Sequence, residues 1–256
     1  MLFNVFIIGP AGSGKSTLTH SLSQWLLAHD IDVVRVNLDP AVEKLPYEPD
    51  VDVREWVRAD FFMEKYGLGP NGAIIASVDY MATQIEKIRE EVLSSGSGYV
   101  IFDTPGQMEL FVFRDIGEYL ISQLSEKRSC IIFILDAVVA LRASSFVSSL
   151  LLSASVFYRF HKPMINVLNK IDFINGKYLE KILGWIDNPE ELHDELRKEL
   201  VGTKLELSTN IYETIKEYLD IFNVLLVSAK TGAGIDTLYT VLQQIYLGGE
   251  DYIVLP

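Results

Sequence analysis

One cysteine, Cys130, stands in a chain of 256 residues, which excludes a disulfide framework and suits a reducing cytosol. It falls in the apolar run Cys130 to Leu135, so a buried, inert thiol is expected. Histidine is nearly as scarce: His20, His29, His161 and His193 are scattered without ligand spacing, and no transition-metal site follows from them. Basic residues are outnumbered, 22 Lys and Arg against 35 Asp and Glu. The resulting net charge of −13 argues against direct binding to nucleic acid or to an anionic membrane. Long apolar runs are missing as well. Leu2 to Ile8 has no charged region before it and is too short for a signal peptide. Phe146 to Phe157 is interrupted by serines and shorter than a membrane span, so it reads as a buried helix. Neither internal repeats nor low-complexity segments occur. A cytoplasmic chain folding as one domain, 1–256, is expected.

Short apolar runs near 3 to 8, 32 to 37, 99 to 102, 130 to 135, 163 to 168 and 223 to 227 alternate with helical periodicity. That alternation predicts an α/β fold: a mostly parallel, doubly wound sheet with its ligand at the carboxyl ends of the strands. Two insertions break the pattern. The first, about 40–98, is expected to hold a short helix around Val53 to Phe62 and a longer one from Ile74 to Leu93. The second, about 173–222, reads as two or three acidic helices, one starting at Pro189. A last helix, Ile235 to Leu247, precedes a short tail.

The chemistry lies where those strands end. After Leu2 to Ile8 comes Gly9-Pro-Ala-Gly-Ser-Gly14-Lys15-Ser16-Thr17, a P-loop in its required setting of strand, loop and helix. Gly12, Ser13, Gly14 and Thr17 let backbone N–H groups and a helix N-terminus face phosphate oxygens. Lys15 is placed to neutralise the β and γ phosphates, and Ser16 to ligate Mg²⁺. Asp103 ends the strand Tyr99 to Phe102 as a second metal-side residue. Gly106, three residues on, supplies a flexible joint with an N–H that can sense a γ-phosphate, and Gln107 can orient a water. Asn169-Lys170-Ile171-Asp172 then closes a further buried strand. A carboxylate at Asp172 can accept from both N1–H and the 2-amino group of guanine, whereas adenine offers neither donor there. Asn169 can meet the other edge of the base, and the Lys170 stem can cover the ring. Backbone N–H groups of Ser228-Ala229-Lys230 can reach the guanine carbonyl oxygen. Taken singly, the D-x-x-G, N-K-x-D and S-A-K strings are also ordinary strand-end turns. Their weight comes from standing in this order.

Asn37-Leu38-Asp39-Pro40-Ala41, the stretch Leu45-Pro46-Tyr47-Glu48-Pro49, the run Asp52-Val53-Arg54-Glu55 and the sequence Gly69-Pro70-Asn71-Gly72 make the whole chain resemble the GPN-loop GTPases. These are dimeric P-loop proteins of the SIMIBI class, and the chain is similar to their single-domain members. The resemblance implies a homodimer that hydrolyses GTP to GDP with Mg²⁺ as a nucleotide-dependent switch or assembly factor for a protein client. It also implies that Asn71 enters the partner's nucleotide site, and that Asp39 positions water or acts as base while standing in the metal set with Ser16 and Asp103. A carboxylate is a weak base at neutral pH, but a loose phosphoryl-transfer transition state needs positioning more than proton removal. No arginine finger is evident; for Arg54 an ion pair with Asp52 or Glu55 is the expected use. Related partition-type ATPases carry an extra lysine where Pro10 and Ala11 stand, and tail-anchor-targeting ATPases clamp zinc through paired cysteines that this chain lacks. Two other functions are weighed: a nucleotide-gated binding module with negligible hydrolysis, which the same residues would serve, and a P-loop kinase, against which Asn169 to Asp172, Ser228 to Lys230 and the lack of an arginine-rich lid speak.

Overall fold

The computed structural model describes residues 2–96, 98–125 and 128–248. The chain runs β1 (Leu2–Ile8), α1 (Lys15–Ala28), β2 (Val33–Asn37), β3 (Val51–Asp52), α2 (Ala59–Tyr66), α3 (Pro70–Met81), α4 (Ile85–Ser94), β4 (Gly98–Asp103), α5 (Met108–Val112) and α6 (Asp115–Leu124). It continues with β5 (Ser129–Asp136), α7 (Ala143–Phe160), β6 (Met164–Asn169), α8 (Gly176–Asp187), α9 (Pro189–Glu199), α10 (Thr203–Ile221), β7 (Val224–Leu226) and α11 (Ile235–Gly248). Seven strands form one sheet in the order β3-β2-β4-β1-β5-β6-β7. β1 with β4, β2 with β3 and with β4, and β6 with β7 all pair in parallel. Parallel neighbours need crossover connections, and helices supply them. Winding changes direction beside β1, the place where open α/β sheets take ligands.

Packing groups the chain into two compact units, Met1–Ile132 and Phe133–Pro256. In the first, Phe3, Val5, Phe6, Ile7 and Ile8 of β1 are wholly buried, as a strand covered on both faces requires. Leu18, Leu22 and Leu26, one helical turn apart, turn the inner stripe of α1 into the same core. In the second, Ser153 of α7, Asn166 of β6 and Tyr218 of α10 form a buried polar triad. Ser153 Oγ lies 2.5 Å from Asn166 Oδ1 and 2.9 Å from Tyr218 Oη, and Asn166 Nδ2 donates to Tyr218 Oη at 3.1 Å. Paired this way, the polar atoms do not carry the cost of unsatisfied burial, and they fix α10 against the strand.

The first insertion departs from the sequence expectation in three ways. A seventh strand, β3, adds to the edge; two residues are too few to produce a readable apolar run. The helix expected from Val53 breaks into a 3-10 turn at Val53–Glu55 followed by α2. The helix expected from Ile74 begins four residues earlier, because Pro70 fits the first helical position, where its missing N–H costs nothing. Another 3-10 turn, Ala82–Gln84, divides it into α3 and α4. Asn71 therefore sits in the first turn of a helix, not in a loop. The second insertion holds three helices, and α9 starts at Pro189 as expected. The tail after α11 lies outside the described residues. Cys130 is completely buried, and burial pushes its thiol well above the ordinary range, which keeps it inert.

Candidate functional site

The first unit carries the residues expected to bind phosphate. Gly12 and Gly14 adopt φ of 73° and 101°, left-handed conformations that glycine takes at little cost and that turn the loop into α1. Lys15 is buried, with its Nζ donating to the carbonyl oxygens of Gly9 (2.9 Å), Pro10 (3.1 Å) and Gly106 (3.0 Å). Burial lowers the pKa of its ammonium group, while the charges of Asp103, Asp39 and Glu109 oppose that shift. Thr104 Oγ1 donates to Ile7 O at 2.7 Å, tying the segment after β4 to the end of β1.

Asp39 and Gly106 meet directly. Asp39 Oδ2 accepts the Gly106 N–H at 2.8 Å, and Oδ1 accepts the Ala41 N–H at 2.9 Å. The N–H expected to sense a γ-phosphate is thus held by a carboxylate from the segment after β2. Asn37 fixes that carboxylate's backbone: its Oδ1 accepts the Asp39 N–H at 3.0 Å, and its Nδ2 reaches Asp39 O at 3.2 Å and Asp52 Oδ1 at 2.9 Å. Arg54 is bound to Asp52 at 2.5 Å and donates to the Val42 and Glu43 carbonyls, so its fork serves the loop after Asp39. Asn71 Oδ1 lies 3.5 Å from Gln107 Nε2 of its own chain, at the outer limit of a hydrogen bond.

Asp103 is buried at the end of β4, where Tyr47 Oη donates to its Oδ2 at 3.0 Å and the Ser16 hydroxyl stands close enough to favour the charged carboxylate. Its Oδ1 is buried without a hydrogen-bond partner among the described residues. An orphaned carboxylate oxygen beside a hydroxyl suits a hard cation that keeps its waters, as Mg²⁺ does when held by one or two carboxylates and phosphate. The residues present therefore fit that ion. Burial pushes the Asp103 carboxyl up from 3.8 to about 6, against the opposing influence of Ser16, Tyr47 and Lys15. The folded chain keeps this proton at pH values where the unfolded chain has released it, so apo stability falls as pH rises from about 4 to about 6. Asp103→Asn retains an acceptor for Tyr47 and removes the buried charge. Urea unfolding without nucleotide or Mg²⁺ is expected to find this variant more stable at pH 7, by on the order of 3 kcal/mol. The gain should vanish near pH 4, and an equal gain at both values would dissociate it from the carboxylate.

The second unit carries the residues expected to read a base. β6 finishes in Asn169, which is buried; its Oδ1 accepts the Ala229 N–H at 2.9 Å and its carbonyl accepts the Ala137 N–H at 2.9 Å. Asn169 Oδ1 thus joins the N-K-x-D and S-A-K segments, and the Ala229 N–H is directed to Asn169. Lys170 adopts a left-handed φ of 69° and pairs with Asp136 at 2.5 Å, which holds its stem in place. Asp172 is exposed, and Ser228 Oγ donates to its Oδ1 at 2.6 Å. Lys230 Nζ stands 5.1 Å from the ring centre of Phe173. Sequence reasoning missed Asp136 and gave Tyr47 no role of its own. Asp136 had a readable signal, an acidic residue at the carboxyl end of an apolar strand. Tyr47 had none, because its partner lies 56 residues away.

Residues 7–247 match the family described as conserved hypothetical ATP binding protein. GPN-loop GTPase 1 of Dictyostelium discoideum is 32% identical over 97% of this chain, which spans 62% of that relative's length. GPN-loop GTPase 3 of Eremothecium gossypii is 30% identical over 96% of the chain and 92% of its own length. A crystal structure of a GTPase in apo form from Pyrococcus abyssi superposes with a TM-score of 0.85 at 30% identity, covering 96% of this chain and 98% of that one. Among the described residues no helix is long and apolar enough to cross a membrane. With matches of this extent around the Gly69-Pro70-Asn71 helix start and the P-loop, the chain belongs to the GPN-loop GTPase family.

Proposed function

We propose that this protein hydrolyses GTP to GDP and phosphate with Mg²⁺, working as a homodimer that switches conformation with nucleotide state. The observation that carries the base assignment is the exposed Asp172 carboxylate, oriented by Ser228 at the end of β6. Lys15 is aimed at phosphate oxygens in place of the carbonyls it now touches. Mg²⁺, when bound beside Ser16 and Asp103, with Asp39 in reach, supplies charge neutralisation for the phosphates. Asp39 and Gln107 hold the attacking water, and an Asn71 amide steadies the same region. Positioning and electrostatics of this kind carry most of the barrier reduction in phosphoryl transfer. A cytoplasmic assembly role toward a protein client fits the acidic surface.

Two copies pairing through α2 and α3 would cover side chains now left in solvent: Phe61, Met63, Tyr66 and Tyr80. In that dimer Asn71 serves the partner's site. The 3.5 Å approach to Gln107 of the same chain favours the other arrangement, in which Asn71 serves its own. Mixing two crippled variants separates them. Asn71→Ala is expected to keep GTP affinity and lose turnover, and Lys15→Ala to lose turnover outright. If Asn71 acts across the interface, an equal mixture forms hybrid dimers with one complete site each and recovers roughly a quarter of wild-type phosphate release. No recovery in a mixture proven to exchange subunits assigns Asn71 to its own chain. Unchanged turnover in Asn71→Ala alone removes it from the mechanism. Phosphate release without a phosphorylated acceptor excludes the kinase reading, and a measurable steady-state rate excludes a purely binding module.

A further inference from the structure

We infer that Tyr47 is a positioning residue for the metal, acting through Asp103; this rests on the GTPase reading above. Its hydroxyl donates to Asp103 Oδ2 at 3.0 Å, leaving Oδ1, buried without a hydrogen-bond partner among the described residues, as the oxygen that would meet the ion's water shell. A carboxylate on a strand end can rotate about its last torsion, and occupying one oxygen removes that freedom before the metal arrives. The contact is built, not incidental. The Tyr47 ring is 7% exposed, and the loop bearing it is fastened on both sides. Arg54 grips the carbonyls of Val42 and Glu43 on one side. Asp50 accepts from the backbone N–H of Arg35 at 2.8 Å and from its Nε at 2.9 Å on the other. A hydroxyl presented from so constrained a loop meets the geometric demand on a group that supports a ligand.

The same contact gives the loop a second task. Asp39 at the start of this segment holds the Gly106 N–H, and Tyr47 near its end holds Asp103, so one stretch of chain contacts both residues that flank the turn after β4. Metal occupancy at Asp103 and the position of Asp39 are thereby linked through residues 39–47.

The test uses the full chain loaded with methylanthraniloyl-GDP, following its release on a chase with unlabelled GDP as free Mg²⁺ is varied. Wild type is expected to hold the nucleotide more firmly as Mg²⁺ rises. Tyr47→Phe keeps the buried ring and is expected to need about tenfold more Mg²⁺ for the same retention, the usual scale for losing a group that orients a metal ligand. Its release rate in EDTA should equal wild type's, and high Mg²⁺ should restore its turnover. An unchanged Mg²⁺ midpoint in Tyr47→Phe, while wild type responds to the ion, overturns the inference and leaves the GTPase reading standing. A changed rate in EDTA also overturns it, by making Tyr47 a support for the nucleotide itself. Wild type showing no response to Mg²⁺ removes both.

Discussion

Asp172→Asn is expected to weaken GTP binding by about 10²- to 10³-fold and to create affinity for xanthosine triphosphate. Two charge-assisted hydrogen bonds, from N1–H and the 2-amino group of guanine, are lost or reversed, each on the scale of about 1.5–3 kcal/mol before discounting for exposure. Asparagine presents an NH₂ where the carboxylate presented an acceptor, and that donor opposes guanine's 2-amino group. Xanthine carries an oxygen at that position and pairs with it. Ser228→Ala should produce a milder form of the same defect, because Ser228 Oγ, 2.6 Å from Asp172 Oδ1, orients the carboxylate without touching the base. Isothermal calorimetry with GTP, ATP and xanthosine triphosphate on wild type and both variants measures the effect. The description of the matching family as ATP binding makes the wild-type comparison decisive. ATP titrating as tightly as GTP would withdraw guanine recognition and, with it, the role given to Asp172.

The sheet was legible in the sequence, and so were the strand ends on which the candidate residues stand, for one reason: buried parallel strands are short unbroken apolar runs, and their carboxyl ends carry polar residues. Leu2 to Ile8 before the P-loop, and Pro163 to Leu168 before the Asn169 turn, could be placed at strand ends without any knowledge of tertiary contacts. What escaped has the opposite character. The Tyr47 to Asp103 and Asp39 to Gly106 bonds span 56 and 67 residues, and no local periodicity encodes a partner so distant. β3 contributes two residues and borrows its pairing from β2, so it has no pattern to read. Pro70 carried the information that a helix starts there, but the Asn-Gly pair after it reads equally well as a turn. Arg54 lay nearer its expected use: an ion pair with Asp52 was foreseen, while the two carbonyls it also holds were not.

If Gly106 and Lys15 meet the γ-phosphate as proposed, these long-range bonds set the segment after β2 in competition with the nucleotide. Gly106 N–H is satisfied by Asp39 and Gly106 O by Lys15, so a γ-phosphate that draws the N–H or the ammonium to itself must break a bond first. Asp39→Ala is therefore expected to move binding and turnover in opposite directions. A nonhydrolysable GTP analogue should bind up to about tenfold more tightly, because a charge-assisted hydrogen bond no longer has to be exchanged and a negative charge no longer faces the phosphate. Hydrolysis should fall by about 10²- to 10⁴-fold, the scale of a lost water-positioning group. Asp39→Asn should fall between: a single amide oxygen cannot serve both the Ala41 and Gly106 N–H groups as the carboxylate does at 2.9 and 2.8 Å. Single-turnover hydrolysis and analogue titration on the same preparations separate the two effects. Weaker analogue binding that is present in Mg²⁺ and absent in EDTA would make Asp39 chiefly a metal residue. Unchanged single-turnover rates would leave its carboxylate only the work of fastening the segment after β4.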